Sequence, residues 1–202
     1  MRLTIQHIPP FRGLQSIVAF MIEHKYSTFR LRFSAGVVDG LIFMPLGWIY
    51  SFMFSHFDSV LLRILACMVN SSAFLVYSIW MHGKYGQTLG KMAYKVVVLD
   101  VSEQPLRMRQ AVLRDIFGVV LLPIGLVSDI ARIVRGIDIS VPANLTTLDL
   151  IIAYSALSWF LIEIVTMFTN DKRRALHDFI AGSVVVRRPD KALQPTAAAT
   201  VS

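Results

Sequence analysis

Asp39 stands inside an apolar run, Phe33 to Phe54, about two helical turns after Arg32. Insertion scales put a carboxylate or a guanidinium near the middle of a membrane helix at roughly +2.5 to +3.5 kcal/mol each. A charge at that depth needs a partner inside a helix bundle or a task that uses it. Asp39 therefore reads either as an interhelical hydrogen-bond or ion-pair partner, or as an ion- or proton-binding carboxylate. On a helix Arg32 and Asp39 share nearly one face, about 10 Å apart along the axis, and Asp39 leans back toward Arg32. A direct pair over that distance is a stretch, so water or a third group would have to bridge it. Arg32 alone reads as an anchor whose head snorkels to the interface. Gly36 and Gly40 flank Asp39 as a GxxxG pair, which predicts a close helix approach beside the carboxylate.

Glu163 lies in WFLIEIVTMF, near the end of another apolar run. It can snorkel, bond across to a second helix, or join Asp39 in a polar pathway. The stretch TNDKRRALHDFIAGSVVV then brings His177 and Asp178 to the membrane edge. Asp178 is at the level of Arg32, and the two are expected to form a clasp that closes the bundle. His177 titrates near neutrality and could relay protons, or be a structural partner of the neighbouring Asp. It has no second histidine at i+3 or i+4, so a zinc site is unsupported. Cys67 is the sole cysteine, which excludes an internal disulfide or a cysteine metal set. No cofactor is expected. GQTLGK (residues 86–91) fails the phosphate-loop pattern, because Tyr85 and Met92 stand where Gly and Ser or Thr are required. It reads as a glycine-rich turn with Lys91 at the headgroups. No nucleophile elbow or dinucleotide fingerprint occurs, so the chain is not expected to be an enzyme.

The elements that must position these groups are membrane helices. Hydrophobic residues make up 55% of the 202 positions and charged ones 16%, against about 25% charged in soluble domains. Apolar segments run Phe33–Phe54, about Val60–Met81, Ala111 to about Val134, and Leu145–Phe168. The first, second and fourth meet the roughly 20 residues that a span needs. The third carries Arg114, Asp115, Asp129 and Arg132, and Pro123 and Gly125 fall in its uncharged stretch, Ile116–Ser128. It could be a tilted or re-entrant helix. Asp129 and Arg132 can satisfy each other at i,i+3.

Charge placement decides for four spans. Basic residues cluster before the first, between the second and third, and after the fourth. With four spans these clusters share one side, as the positive-inside rule expects. Both termini are then cytoplasmic, in the cell inner membrane. The formal charge of +7 thus points to the lipid bilayer and not to nucleic acid.

Between the second and third spans, MAYKVVVLD reads as a strand, and SVVVRR after the fourth as another. Unpaired strands leave backbone groups unmet, so Lys95–Leu99 and Ser183–Arg187 are expected to pair in a small cytoplasmic sheet. The fold class is all-α: a four-span bundle with a small β element. Residues 1–27 form an interfacial amphipathic helix or a disordered lead-in, with a targeting segment as a third reading. Residues 28–188 form the membrane domain, and 189–202 a disordered tail.

Three blocks in order carry a resemblance. Arg32-x-x-Ala35-x-x-x-Asp39 opens the first span, Gly86-Gln87-Thr88-Leu89-Gly90-Lys91 follows the second, and Leu176-His177-Asp178 with Ala181–Val186 closes the core. Together they resemble the RDD family of small bacterial membrane proteins, named for one arginine and two aspartates. The resemblance spans roughly Thr28 to Arg188 and implies that those residues are Arg32, Asp39 and Asp178. Ser183 stands where the family commonly has Thr. The resemblance also implies transport, with cation–proton exchange suggested for some members. Two functions follow: passage of a small ion, in a homo-oligomer because four spans are few for a lone pathway, or a non-transporting scaffold in which Arg32, Asp39 and Asp178 are structural.

Overall fold

The computed structural model describes residues 25–139 and 141–188. Most of the expected lead-in and all of the expected disordered tail lie outside the described residues.

Four helices are long and apolar enough to cross a membrane: α1 (Phe29–His56), α2 (Val60–Tyr85), α5 (Ile116–Val134) and α6 (Thr147–Phe168). Their flanks expose large apolar side chains, such as Trp48 on α1 and Val127 on α5. A lipid environment makes that arrangement favourable. The spans are longer than the apolar runs at α1 and α2, because helical hydrogen bonding continues past the hydrocarbon-like residues into polar ends. The turn between α1 and α2 is short, and Arg63 donates from Nε to the Phe57 carbonyl (2.8 Å) and from Nη2 to that of Phe54 (3.0 Å). These bonds satisfy C-terminal carbonyls that α1 leaves open.

The third segment is two helices. α4 (Met108–Arg114) and α5 meet at Asp115, which has left the helical conformation. The Ser78 hydroxyl donates to the Asp115 carboxylate at 2.9 Å. Of the charged residues that make the segment look marginal, Arg114 falls in the separate short helix and Asp115 at the joint, while Asp129 and Arg132 lie near the far end of α5. At 19 residues it is about 28 Å long, enough to span. Pro123 sits within it and does not end it.

On the side where α2 ends and α5 begins lie α3 (Leu89–Ala93), β1 (Val96–Asp100), α4, α7 (Leu176–Ala181) and β2 (Ser183–Arg187). The strands pair antiparallel, Val98 opposite Val185. β1 starts one residue later than expected because Lys95 has a positive φ of 53°, incompatible with extended backbone. Val96, Val98 and Val185 pack with Leu106 and Ala111 against Leu31 and Ile79 of the spans. Val184 and Val186 pack on the other face with Tyr26. The sheet is thereby welded to the membrane bundle. At the opposite end, Arg132 reaches Asp129 and, at 2.9 Å, Asp149, which joins α5 to α6.

Candidate functional site

The GQTLGK stretch shapes one wall of the site. Gly86 caps α2 with φ +65°, and an added Cβ would come within 2.8 Å of the Val98 carbonyl oxygen. Only glycine suits both demands. Thr88 caps α3 by accepting the Lys91 N–H at 3.3 Å. The next two amides point inward: Leu89 N–H donates to the Tyr77 hydroxyl at 2.8 Å, and Gly90 N–H to Asp39 Oδ1 at 2.8 Å. The Tyr77 hydroxyl donates to the same Asp39 oxygen at 2.8 Å. Asp39 is buried, and these donors are what permits a carboxylate there.

The expected glycine contact around Asp39 is corrected. A Cβ at Gly36 or Gly40 would meet nothing within 4 Å. The close approach is made by Gly90, where an added Cβ would overlap the Ala35 carbonyl and lie 2.9 Å from Asp39 Oδ2. Lys91 Nζ lies against His82 Nε2, because α3 packs on α1. Its ammonium is held well below the usual lysine range by burial and by the nearby Arg114 and Arg32.

Arg32 has its partner on α7. Nη1 donates to Asp178 Oδ2 at 2.7 Å and touches the Met167 sulfur at 3.4 Å. Asp178 is fully buried. Its other oxygen takes Arg114 Nη1 and the Ser183 hydroxyl (3.0 Å), and Oδ2 also accepts the Ala175 N–H at 3.0 Å. Burial alone would raise this carboxyl; Arg114 and Arg32 outweigh it and hold the pKa well below the usual carboxylate range. Arg174 bonds the Ser183 carbonyl at 2.9 Å and that of Asp178 at 2.8 Å. Sequence reasoning missed Arg114 as the second partner. The signal was there: an arginine beside an apolar span carries the same burden that singled out Arg32.

Glu163 accepts from the Trp159 indole N–H at 2.7 Å and meets His177 Nδ1. The His177 Nε2 faces Asp178 Oδ1 at 3.5 Å, too far for a hydrogen bond, and is buried without a partner. Burial and Arg114 push the imidazole below its ordinary 6.5.

These groups surround one cavity of about 500 Å³ inside the bundle, lined by Arg32, Asp39, His82, Lys91, Arg114, Asp115, Glu163 and His177 together with apolar residues of α1, α5 and α6. All five expected site residues converge here: four line the cavity, and Asp178 lies behind Arg32 and Arg114. Arg32 and Asp39 do not pair or share a bridging residue; each has its own partners. Among the described residues no cluster of metal-ligating side chains is found.

Gly90→Ala should cost about 1–3 kcal/mol or more, because backbone and not a flexible side chain must move. Melting temperature and yield in detergent check this, and an unchanged Tm would refute the close-approach account. His177 gives a pH test. The unfolded chain takes up a proton at this residue at a pH where the folded chain still refuses it. Its stability is therefore full above pH 6.5 and falls as pH drops through and below that value. Between pH 7.5 and 5.5 the wild type should lose more Tm than His177→Gln; parallel profiles would contradict this.

The family model of the RDD family matches residues 26–182, a stretch that contains Arg32, Asp39, Glu163 and Asp178. No match is found among curated proteins or among solved structures. With a match over most of its length, the chain belongs to the RDD family of membrane proteins.

Proposed function

We propose that the chain binds a small ion in the intrabundle cavity and passes it across the membrane in exchange for protons. The observation that carries this reading is that Asp39 of α1 and Glu163 of α6 line the same cavity. Asp39 keeps Oδ2 without a donor among the described residues, so one oxygen remains for an ion or a proton. Glu163 and His177 form the proton-handling pair. The imidazole Nε2 has no partner, and a proton gained there adds an N–H directed at Asp178 while Nδ1 keeps its contact with Glu163. Changing the charge of that pair changes the potential across the cavity, which couples proton uptake to ion release.

A homo-oligomer supplies the missing walls of the pathway in this reading. The basic residues on the side of the sheet, among them Lys84, Arg107, Arg109 and Arg188, support assigning that side, with both ends of the membrane domain, to the cytoplasm of an inner membrane.

A second reading, a non-transporting scaffold, draws on a different observation. Each oxygen of Asp178 is met by an arginine, and Asp39 by Tyr77 and Gly90, as structural joints would be. Flux assays in proteoliposomes separate the two. Wild-type vesicles under a pH gradient should move a monovalent ion at least tenfold faster than empty ones, and Asp39→Asn should remove most of that flux while the protein stays folded. Wild-type flux equal to that of empty vesicles across cations, anions and pH leaves the scaffold.

A further inference from the structure

Each carboxylate around the cavity has donors of its own. Asp178 has two arginines, Asp39 has Tyr77 and Gly90, Glu163 has Trp159 and His177, and Asp115 has Ser78. The cationic side is not balanced in the same way. The Arg32 side chain is only 9% exposed, yet its Nε and Nη2 are buried without a hydrogen-bond partner. Lys91 Nζ lies against a histidine nitrogen, and no carboxylate pairs with it among the described residues. Surplus buried donors are an unmet demand for acceptor atoms.

Away from this basic pole the lining becomes apolar. Phe33 and Gly36 of α1 and Phe160 of α6 line the cavity and are also exposed on the flank of the bundle. The cavity therefore reaches the lipid-facing surface. At the basic end α1 and α6 close on each other, with Phe29 and Phe168 rings 5.0 Å apart. Arg32 lies in the first turn of α1, at the end of the span, while Phe33 and Gly36 follow it along the helix toward the middle of the span.

We propose that this cavity binds an anionic phospholipid, whose headgroup phosphate accepts from Arg32 Nε and Nη2 and from Lys91, and one of whose acyl chains leaves the bundle between Phe33 and Phe160. Basic pockets between membrane helices are suited to acidic headgroups, and the cavity of about 500 Å³ has room for a phosphate and the first part of a chain. The crowding of Lys91 by Arg114 and Arg32 would be relieved by the phosphate. Of the acids around Lys91, Asp178, Asp115 and Glu163 are held by donors of their own, and Asp39 takes its two donors on Oδ1. Lipid binding goes beyond the transport reading and does not require it, since it is measured without flux.

The test uses the full chain purified in a neutral detergent, titrated with phosphatidylglycerol, phosphatidylcholine or inorganic phosphate and followed by native mass spectrometry and thermal shift. Phosphatidylglycerol should bind at least tenfold more tightly than phosphatidylcholine, and Lys91→Gln should remove that preference. Gly36→Leu, at a position where an added side chain has open space, leaves the basic pole intact but blocks the path of the chain, so it should weaken phosphatidylglycerol at least fivefold. Equal affinity for the two lipids, or unchanged binding in Gly36→Leu, overturns the proposal. Saturation by inorganic phosphate at comparable concentration also overturns it, because the site would then serve a free anion.

Discussion

The architecture depends on one buried carboxylate. Asp178 is fully enclosed, and an uncompensated charge in such a place would unfold the region around it. Arg32 and Arg114 come from α1 and α4, on opposite sides of the bundle end, and both can reach Asp178 only when α7 is seated between them. The same residue holds the start of α7 through the Ala175 amide and the start of β2 through Ser183. Since β2 pairs with β1, the constraint passes to the sheet and, through Val98 and Gly86, to the end of α2. A single carboxylate thus sets the register of the parts that frame the cavity.

The GQTLGK turn is the complementary device. It carries two backbone amides into the bundle, one onto Tyr77 and one onto Asp39. Backbone donors stabilise a carboxylate without adding a full positive charge, so Asp39 can remain deep in α1 with one oxygen uncommitted. Lys91, one residue further on, projects into the same cavity. Glycine at position 90 is the condition for this geometry, because α3 packs directly on the Ala35 carbonyl.

Much of this was legible in the residues. The four spans, the two strands with their pairing, and the meeting of Arg32 with Asp178 follow from apolar run length, β-branched runs and the depth of charges. The division of the third segment at Asp115 was not, since apolar counting averages α4 and α5 together, and only the Ser78 contact marks the break. The role of Gly36 and Gly40 was misread because a GxxxG pattern says that close approach is permitted, not that a helix takes it. The contact of Lys91 with His82 is not legible, because a lysine after a span usually snorkels and nothing local announces that α3 packs on α1. The partners of Asp39 are a tyrosine on α2 and a backbone amide, neither of which a charge-based search would pick out.

Around the cavity each acid has donors, Asp39 on one oxygen only, while part of the basic pole is unmet and the apolar flank is exposed. That arrangement stands or falls with the Asp178 joint. The most direct measurement is a double-mutant cycle on Arg114→Met and Asp178→Leu, read by thermal unfolding in detergent. If the carboxylate and the arginine hold each other, Arg114→Met leaves Asp178 with Arg32 as its one arginine and Asp178→Leu leaves Arg114 without a carboxylate, each costing up to about 3–5 kcal/mol, and the double variant is markedly less destabilised than the sum, by at least about 2 kcal/mol. Additive effects would contradict the account, because they would mean that the two side chains contribute independently and that the joint does not organise the fold.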